Sequence, residues 1–172
     1  MPELIPVLTK DAIARKVSDI AHKISSDYKD RELIIIGVLK GSFIFVSDLV
    51  RQLTIPVKID FISASSYGSS TSSSGNIRLT KEIDMDLKDK DVLIVDDIID
   101  TGLTLAYLVD YVKSFGPKTV KVCIFLDKNE RRKVEFHADY VCYMVPKGFL
   151  VGYGLDCAEN YRNLPEIYHL KL

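Results

Sequence analysis

Cysteine is scarce in this chain: Cys123, Cys142 and Cys157 form an odd set without close spacing. They give neither a disulfide framework nor a zinc site nor a CxxC redox pair, and read as small core-filling thiols in a reducing cytoplasm. Long apolar runs are missing too. The longest, Leu33 to Leu39, is far shorter than the ~18 residues of a membrane span. The opening Met-Pro-Glu-Leu-Ile-Pro-Val has no basic start leading into an apolar stretch, so no secretory signal is expected. Charge of one sign is not in surplus: 23 basic against 24 acidic residues leave a formal −1. No global basic field is available to hold a nucleic-acid backbone or an anionic membrane, and neither is expected as a partner. His22, His137 and His169 show no metal-ligand spacing, and no internal repeat or interdomain linker is visible.

What is present is globular: 172 residues, 47% apolar and 27% charged, enough to bury a core as one domain over residues 1–172. Ile13, Val17, Ile20, Ala21 and Ile24 recur at helix spacing between Thr9 and about Asp30. The run Leu33–Leu39 predicts a strand covered on both faces. A second amphipathic stretch reaches Leu53, and strands are expected over Val57–Ala64, Ile77–Glu82, Asp91–Val95, Thr119–Phe125 and Tyr140–Met144. Leu105, Leu108, Val109 and Val112 stripe a helix from Gly102 to about Phe115. Strands alternating with helices predict an α/β fold around a mainly parallel twisted sheet. The tail from about residue 146 to 172, with its turns and aromatics, predicts a small cap.

One stretch is anomalous. Ser63 to Asn76 holds eight serines, two glycines, one threonine and a single aromatic, Tyr67. It cannot bury enough surface to hold itself closed, so it is either an inert loop or an active-site lid.

The chemistry concentrates in Val92-Leu-Ile-Val-Asp-Asp-Ile-Ile-Asp-Thr-Gly-Leu-Thr104. A buried strand ends in the carboxylates of Asp96 and Asp97, with Asp100 following beside Thr101, Gly102 and Thr104. Ligands of parallel α/β sheets bind at the carboxyl ends of strands. The Asp-Thr-Gly-x-Thr stretch enters a helix, so its free N–H groups and hydroxyls suit a phosphate, and Gly102 lets the main chain approach that anion. Asp96 and Asp97 would repel phosphate; sugar hydroxyls or a magnesium ion suit them. Gly152-Tyr-Gly154 lacks the third glycine of a dinucleotide fingerprint. Lys128 to Lys133, with Arg131 and Arg132, reads as a solvated basic turn.

This string resembles the ribose-phosphate motif of type I phosphoribosyltransferases, specifically the bacterial hypoxanthine phosphoribosyltransferase family, and the likeness covers nearly the whole chain. Val38-Leu-Lys-Gly41 looks like the family's pyrophosphate loop, and Ser65-Ser-Tyr-Gly68 like its flexible loop, here about 65–76. Leu126-Asp-Lys128 and Phe149-Leu-Val-Gly-Tyr-Gly-Leu-Asp156 look like its purine pocket, and Glu159-Asn-Tyr-Arg162 like its last turn. The resemblance implies a Rossmann-like core with a hood formed by the chain ends. It also implies a magnesium-dependent salvage reaction: hypoxanthine, and guanine, with phosphoribosyl pyrophosphate giving IMP or GMP and pyrophosphate.

By the same resemblance, Asp96 and Asp97 hold the ribose hydroxyls and Asp96 lies near magnesium, with Asp97 in the metal set and Asp156 helping through water. Asp100 is the general base at purine N7. Asp100, Thr101, Gly102, Leu103 and Thr104 bind the 5′-phosphate, Leu103 through its backbone. Lys40, Gly41 and Arg162 bind pyrophosphate. Lys128 donates to the 6-oxo group, Phe149 stacks on the purine, Leu150 offers main-chain groups and Asp156 lies in the purine pocket. Ser66 and Tyr67 contact the closed site. A homodimer or homotetramer in the cytoplasm is implied. The chain departs from the family in having Asp96-Asp97 where Glu-Asp is usual. Two alternatives share features: a two-component receiver, which needs more βα units than the 75 residues after Asp97 supply, and a regulator of this fold that binds nucleic acid, which predicts a basic face or an added domain.

Overall fold

The computed structural model describes residues 2–66 and 77–172. Tyr67 and the stretch 67–76 lie outside the described residues, and with them the core of the expected flexible loop. Six strands make the main sheet in the order β4-β3-β2-β5-β6-β7. They are β2 (Leu33–Leu39), β3 (Val57–Ser66), β4 (Ile77–Lys81), β5 (Asp91–Ile99), β6 (Thr119–Lys128) and β7 (Tyr140–Val145). All neighbours pair parallel except β4, which runs antiparallel along β3.

The continuous apolar runs follow from burial on both faces. Leu33 and Ile35 of β2 and Leu93 and Val95 of β5 enter one core; Ile34, Ile36 and Val38 with Val92 and Ile94 enter the other. This is the two-residue alternation of a strand with apolar layers on each side. The helices α1 (Lys10–Asp27) and α2 (Phe43–Val50) cover the first face, and α3 (Leu103–Lys113) the second. Helix α1 begins where Thr9 Oγ1 accepts the Ala12 N–H at 3.1 Å, a side-chain cap, and buries the five apolar residues its periodicity predicts.

A second sheet, in the order β1-β9-β8, joins the two ends of the chain: β1 (Glu3–Leu8), β8 (Leu150–Val151) and β9 (Ile167–Lys171). Leu8, Leu150, Tyr153 and Ile167 share a core with Phe45 and Phe125, which seats this hood on the sheet. Strand β1 is absent from the sequence-based expectations. Pro6 interrupts it, Leu4 and Ile5 are exposed, and only antiparallel pairing with distant β9 makes it a strand.

Candidate active site

Strand β5 rises through the buried centre of the sheet and delivers Asp96 and Asp97 near its carboxyl end. Asp100 to Gly102 then turn into α3. Gly102 takes φ +85° at the helix start, and Leu103 N–H donates to Thr101 Oγ1 at 3.3 Å. Asp96, Asp97, Asp100, Thr101, Gly102 and Thr104 line one cavity of about 250 Å³ with Leu39 and Gly41 from the loop after β2. The structure therefore gathers most of the expected ribose-phosphate residues; Leu103 stands outside the lining.

The acidic pair is held tightly. Asp97 N–H donates to Asp96 Oδ1 and Ile98 N–H to Asp97 Oδ1, both at 2.8 Å. Burial, and then the adjacent Asp97 charge, push the Asp96 carboxyl well above its ordinary value. Asp97 is raised as well: burial outweighs its hydrogen bond with Asp96, the Ile98 N–H and the Arg162 charge. Each charge in this pair is disfavoured by burial, so hydroxyl donors or a cation would stabilise it. Gly41 presses on this pair, since a Cβ there would lie 2.0 Å from Asp97 Oδ2.

Beside Asp100, outside the lining of that cavity, the surroundings are basic. Lys128, at the end of β6 and 7% exposed, places Nζ 3.6 Å from Asp100 Oδ1 and donates to Gly148 O at 3.1 Å. That second contact joins it to Phe149 and Leu150; Leu150 is buried and Phe149 is 47% exposed. Asp100 Oδ1 is buried and accepts no hydrogen bond from the described residues. Arg131, on the rim, approaches Asp100 Oδ2 at 3.4 Å.

The turn after β8 packs behind the Gly41 loop and does not itself line the cavity. Gly154 packs so closely on the pyrophosphate-loop candidate that a Cβ would sit 2.1 Å from Gly41 O. Arg162 donates to Gly154 O at 2.7 Å and to Glu159 Oε1 at 2.9 Å, and forms an ion pair with Asp156 Oδ1 at 3.1 Å. Glu159 also receives Lys40 Nζ at 3.0 Å. Glu159 thus bridges the two cations expected to hold an anion. Asp156 is engaged by Arg162 and by the Glu159 N–H, and does not line the cavity with Asp96 and Asp97.

Three contributors escaped sequence reasoning. Gly154 sits in a discounted glycine pair, and only tertiary contact shows its role. Glu159 falls in a motif without an assigned task. Arg132 belongs to the supposed solvated turn, and there the structure corrects the expectation: its side chain is 17% exposed, pairs with the Asp127 carboxylate and donates to Asp100 O at 3.1 Å. The basic spacing alone could not separate Arg132 from the exposed Arg131.

The sheet order, the helix start below Asp100 and the paired carboxylates define a phosphoribosyl transferase fold. The family model described as "Phosphoribosyl transferase domain" matches residues 7–158, and the chain belongs to this family. Among particular relatives, the hypoxanthine-guanine phosphoribosyltransferase of Aquifex aeolicus is 50% identical over 163 residues, covering 94% of this chain and 92% of its own. The Bacillus subtilis protein of that name is 43% identical over 165 residues, covering 96% and 92%. A crystal structure of a hypoxanthine-guanine phosphoribosyltransferase from Bacillus anthracis superimposes with a TM-score of 0.92 at 44% identity, covering 99% of this chain and 100% of that one. Neither the receiver nor the nucleic-acid regulator finds support in these relatives.

Proposed function

We propose that the protein is a purine-salvage transferase that joins hypoxanthine or guanine to phosphoribosyl pyrophosphate, releasing pyrophosphate with IMP or GMP. The observation that carries this reading is the Lys128–Asp100 pair. A buried ammonium and a buried, unsatisfied carboxylate oxygen stand 3.6 Å apart. A 6-oxopurine presents its O6 acceptor and N7–H donor side by side on one edge, and this pair complements them. Adenine offers a 6-amino donor to Lys128 instead, donor against donor, which disfavours it. Phe149 supplies an exposed aromatic face for the ring.

As the bond to pyrophosphate lengthens, the ribose gains oxocarbenium character, and the site stabilises that charge while orienting both reactants. Asp96 and Asp97 accept from the ribose hydroxyls. The Asp100–Thr104 turn holds the 5′-phosphate with backbone N–H groups and the Thr101 and Thr104 hydroxyls. Lys40, Gly41 and Arg162 receive pyrophosphate, and Asp100 takes the N7 proton as the new glycosidic bond forms.

A magnesium ion fits the donor set, because the crowded Asp96–Asp97 carboxylates gain from a nearby cation. Among the described residues no cluster of three His, Cys, Asp or Glu side chains forms. That suits an ion held by one or two carboxylates with substrate oxygens and water, Asp156 acting through water. When bound, the ion neutralises charge on the leaving pyrophosphate.

The three cysteines are free, which agrees with a reducing cytoplasm, and no helix of the described residues is long and apolar enough to cross a membrane. A homodimer or homotetramer is part of the proposal, checked by light scattering. The activity is tested with a panel of purine bases, phosphoribosyl pyrophosphate and magnesium, followed by nucleotide formation. Hypoxanthine and guanine should react and adenine should not; adenine as the preferred base, or no nucleotide from any base, refutes the reading.

A further inference from the structure

Strands β5 and β6 make their last pairing between Ile99 and Asp127. Asp100 and Lys128 each stand one position beyond it, where the ladder between these strands no longer fixes one against the other. Arg132 closes that gap. Its Nε donates to Asp100 O at 3.1 Å, and its Nη2 reaches both the Asp127 carboxylate and, at 3.4 Å, Lys128 O. Its Nη1 donates to Phe136 O at 2.9 Å, anchoring the loop that carries it. One planar guanidinium therefore serves acceptors from both strand ends, a task for which its fixed fork of donors is suited and a lysine is not. Arg132 and Asp127 are 17% and 13% exposed, so water competes little for these contacts.

The same loop grips the phosphate turn. Lys133 N–H donates to Thr101 O at 2.9 Å. A Cβ on Gly102 would lie 3.0 Å from Val134 Cγ2 and 3.2 Å from Arg132 Cδ.

We infer that Arg132 is a positioning residue for base transfer: it sets the placement of Asp100 against Lys128 without itself touching substrate. The inference rests on the roles proposed above for those two residues. Their spacing must match adjacent atoms on one purine edge, and a slip of ~1 Å in such an arrangement costs about 10²-fold in rate.

The test is a double-mutant cycle of Arg132→Gln and Asp100→Asn, with kcat for hypoxanthine measured beside urea denaturation of each variant. Arg132→Gln should lower kcat about 10²-fold. Combined with Asp100→Asn it should lower it no more than about threefold beyond Asp100→Asn alone, because the group being positioned is gone. A purely structural residue would instead multiply the two losses. Arg132→Lys keeps a charge beside Asp127 but cannot reach both strand ends. It should show a similar loss of kcat, and it carries the same cycle should Arg132→Gln fail to fold. Multiplicative losses, or kcat within about threefold of wild type for the folded Arg132 variant, overturn the inference while leaving an impaired Asp100→Asn to support the underlying reading. A wild type that makes no nucleotide, or an Asp100→Asn variant with normal turnover, removes that reading and the inference with it.

Discussion

Adding one methyl group at Gly154 should disable the site from its back wall. Gly154 takes φ +98°, and the Cβ of an alanine there would lie 2.1 Å from Gly41 O and 3.3 Å from Gly41 C. Ordinary contact begins near 3.4 Å, so the carbonyl must withdraw by more than an ångström. The colliding atom is backbone, not the end of a flexible side chain. Gly41 has little freedom to yield, because it is itself pressed against the Asp97 carboxylate. The backbone strain costs ~1–3 kcal/mol and the overpacking a similar amount, so we predict a loss of about 2–6 kcal/mol in folding free energy. A domain in the middle of the ordinary range of ~5–15 kcal/mol stays folded after that loss.

Activity should suffer more than folding. The displaced loop carries Lys40 and Gly41, and Arg162 hangs from the Gly154 carbonyl, so the proposed pyrophosphate contacts shift from two sides. We predict about a 10²-fold fall in kcat/KM for phosphoribosyl pyrophosphate, measured by steady-state kinetics beside urea unfolding. Gly116→Ala is the control. Gly116 has a comparable φ of +73°, but the nearest atom to its Cβ is Lys88 Cγ at 3.9 Å. That variant should lose stability and keep its kinetics. Gly154→Ala with wild-type kcat/KM and an unchanged unfolding midpoint would refute the close contact and the reasoning built on it.

Other perturbations separate the remaining roles. Asp100→Asn should cut turnover about 10²–10⁴-fold with far smaller changes in KM; near wild-type turnover would remove Asp100 as the base. Lys128→Ala should raise KM for hypoxanthine and guanine while phosphoribosyl pyrophosphate binding, read by calorimetry, stays nearly intact, and equal losses for both would make Lys128 structural. Asp60 accepts N–H groups from Phe61 at 2.7 Å, Asp84 at 2.8 Å and Met85 at 3.0 Å. Burial opposes its ionisation, but those donors and Lys81 together hold its carboxyl below the ordinary value. A depressed carboxyl stabilises the fold above its unfolded pKa of ~3.9 and loses that contribution as pH falls through the folded value. Asp60→Asn should therefore cost ~1–3 kcal/mol at pH 7, with a deficit that shrinks on acidification below about pH 4 in denaturant titrations; a deficit independent of pH would contradict this account.

Local patterns in the chain announce whatever one segment determines alone. The β2 run Leu33–Leu39 ends where its apolar residues end, and the five apolar positions of α1 all reach the core. Both are set by side-chain periodicity, which needs no knowledge of partners. Asp96, Asp97, Asp100 and Thr101 are legible for a similar reason: strand, carboxylates and the turn into α3 are contiguous, so sequence order already places them at one sheet end. The sequence predicts β5 only to Val95 and β6 only to Phe125, because both strands continue into polar residues, Asp96 and Asp97 in β5 and Asp127 and Lys128 in β6. Asp96 and Asp97 of β5 line the candidate cavity, while Asp127 of β6 is paired with Arg132 and Lys128 with Asp100. Gly154 and Arg132 were opaque for a different reason. Each acts on a residue far away in the chain, Gly41 in one case and Asp100 in the other, and neither a positive φ nor a buried guanidinium leaves a periodic trace. In this fold the groups proposed to touch substrate lie together on short contiguous motifs. The groups that set their spacing come from separate loops, and they are the ones that only the folded chain reveals.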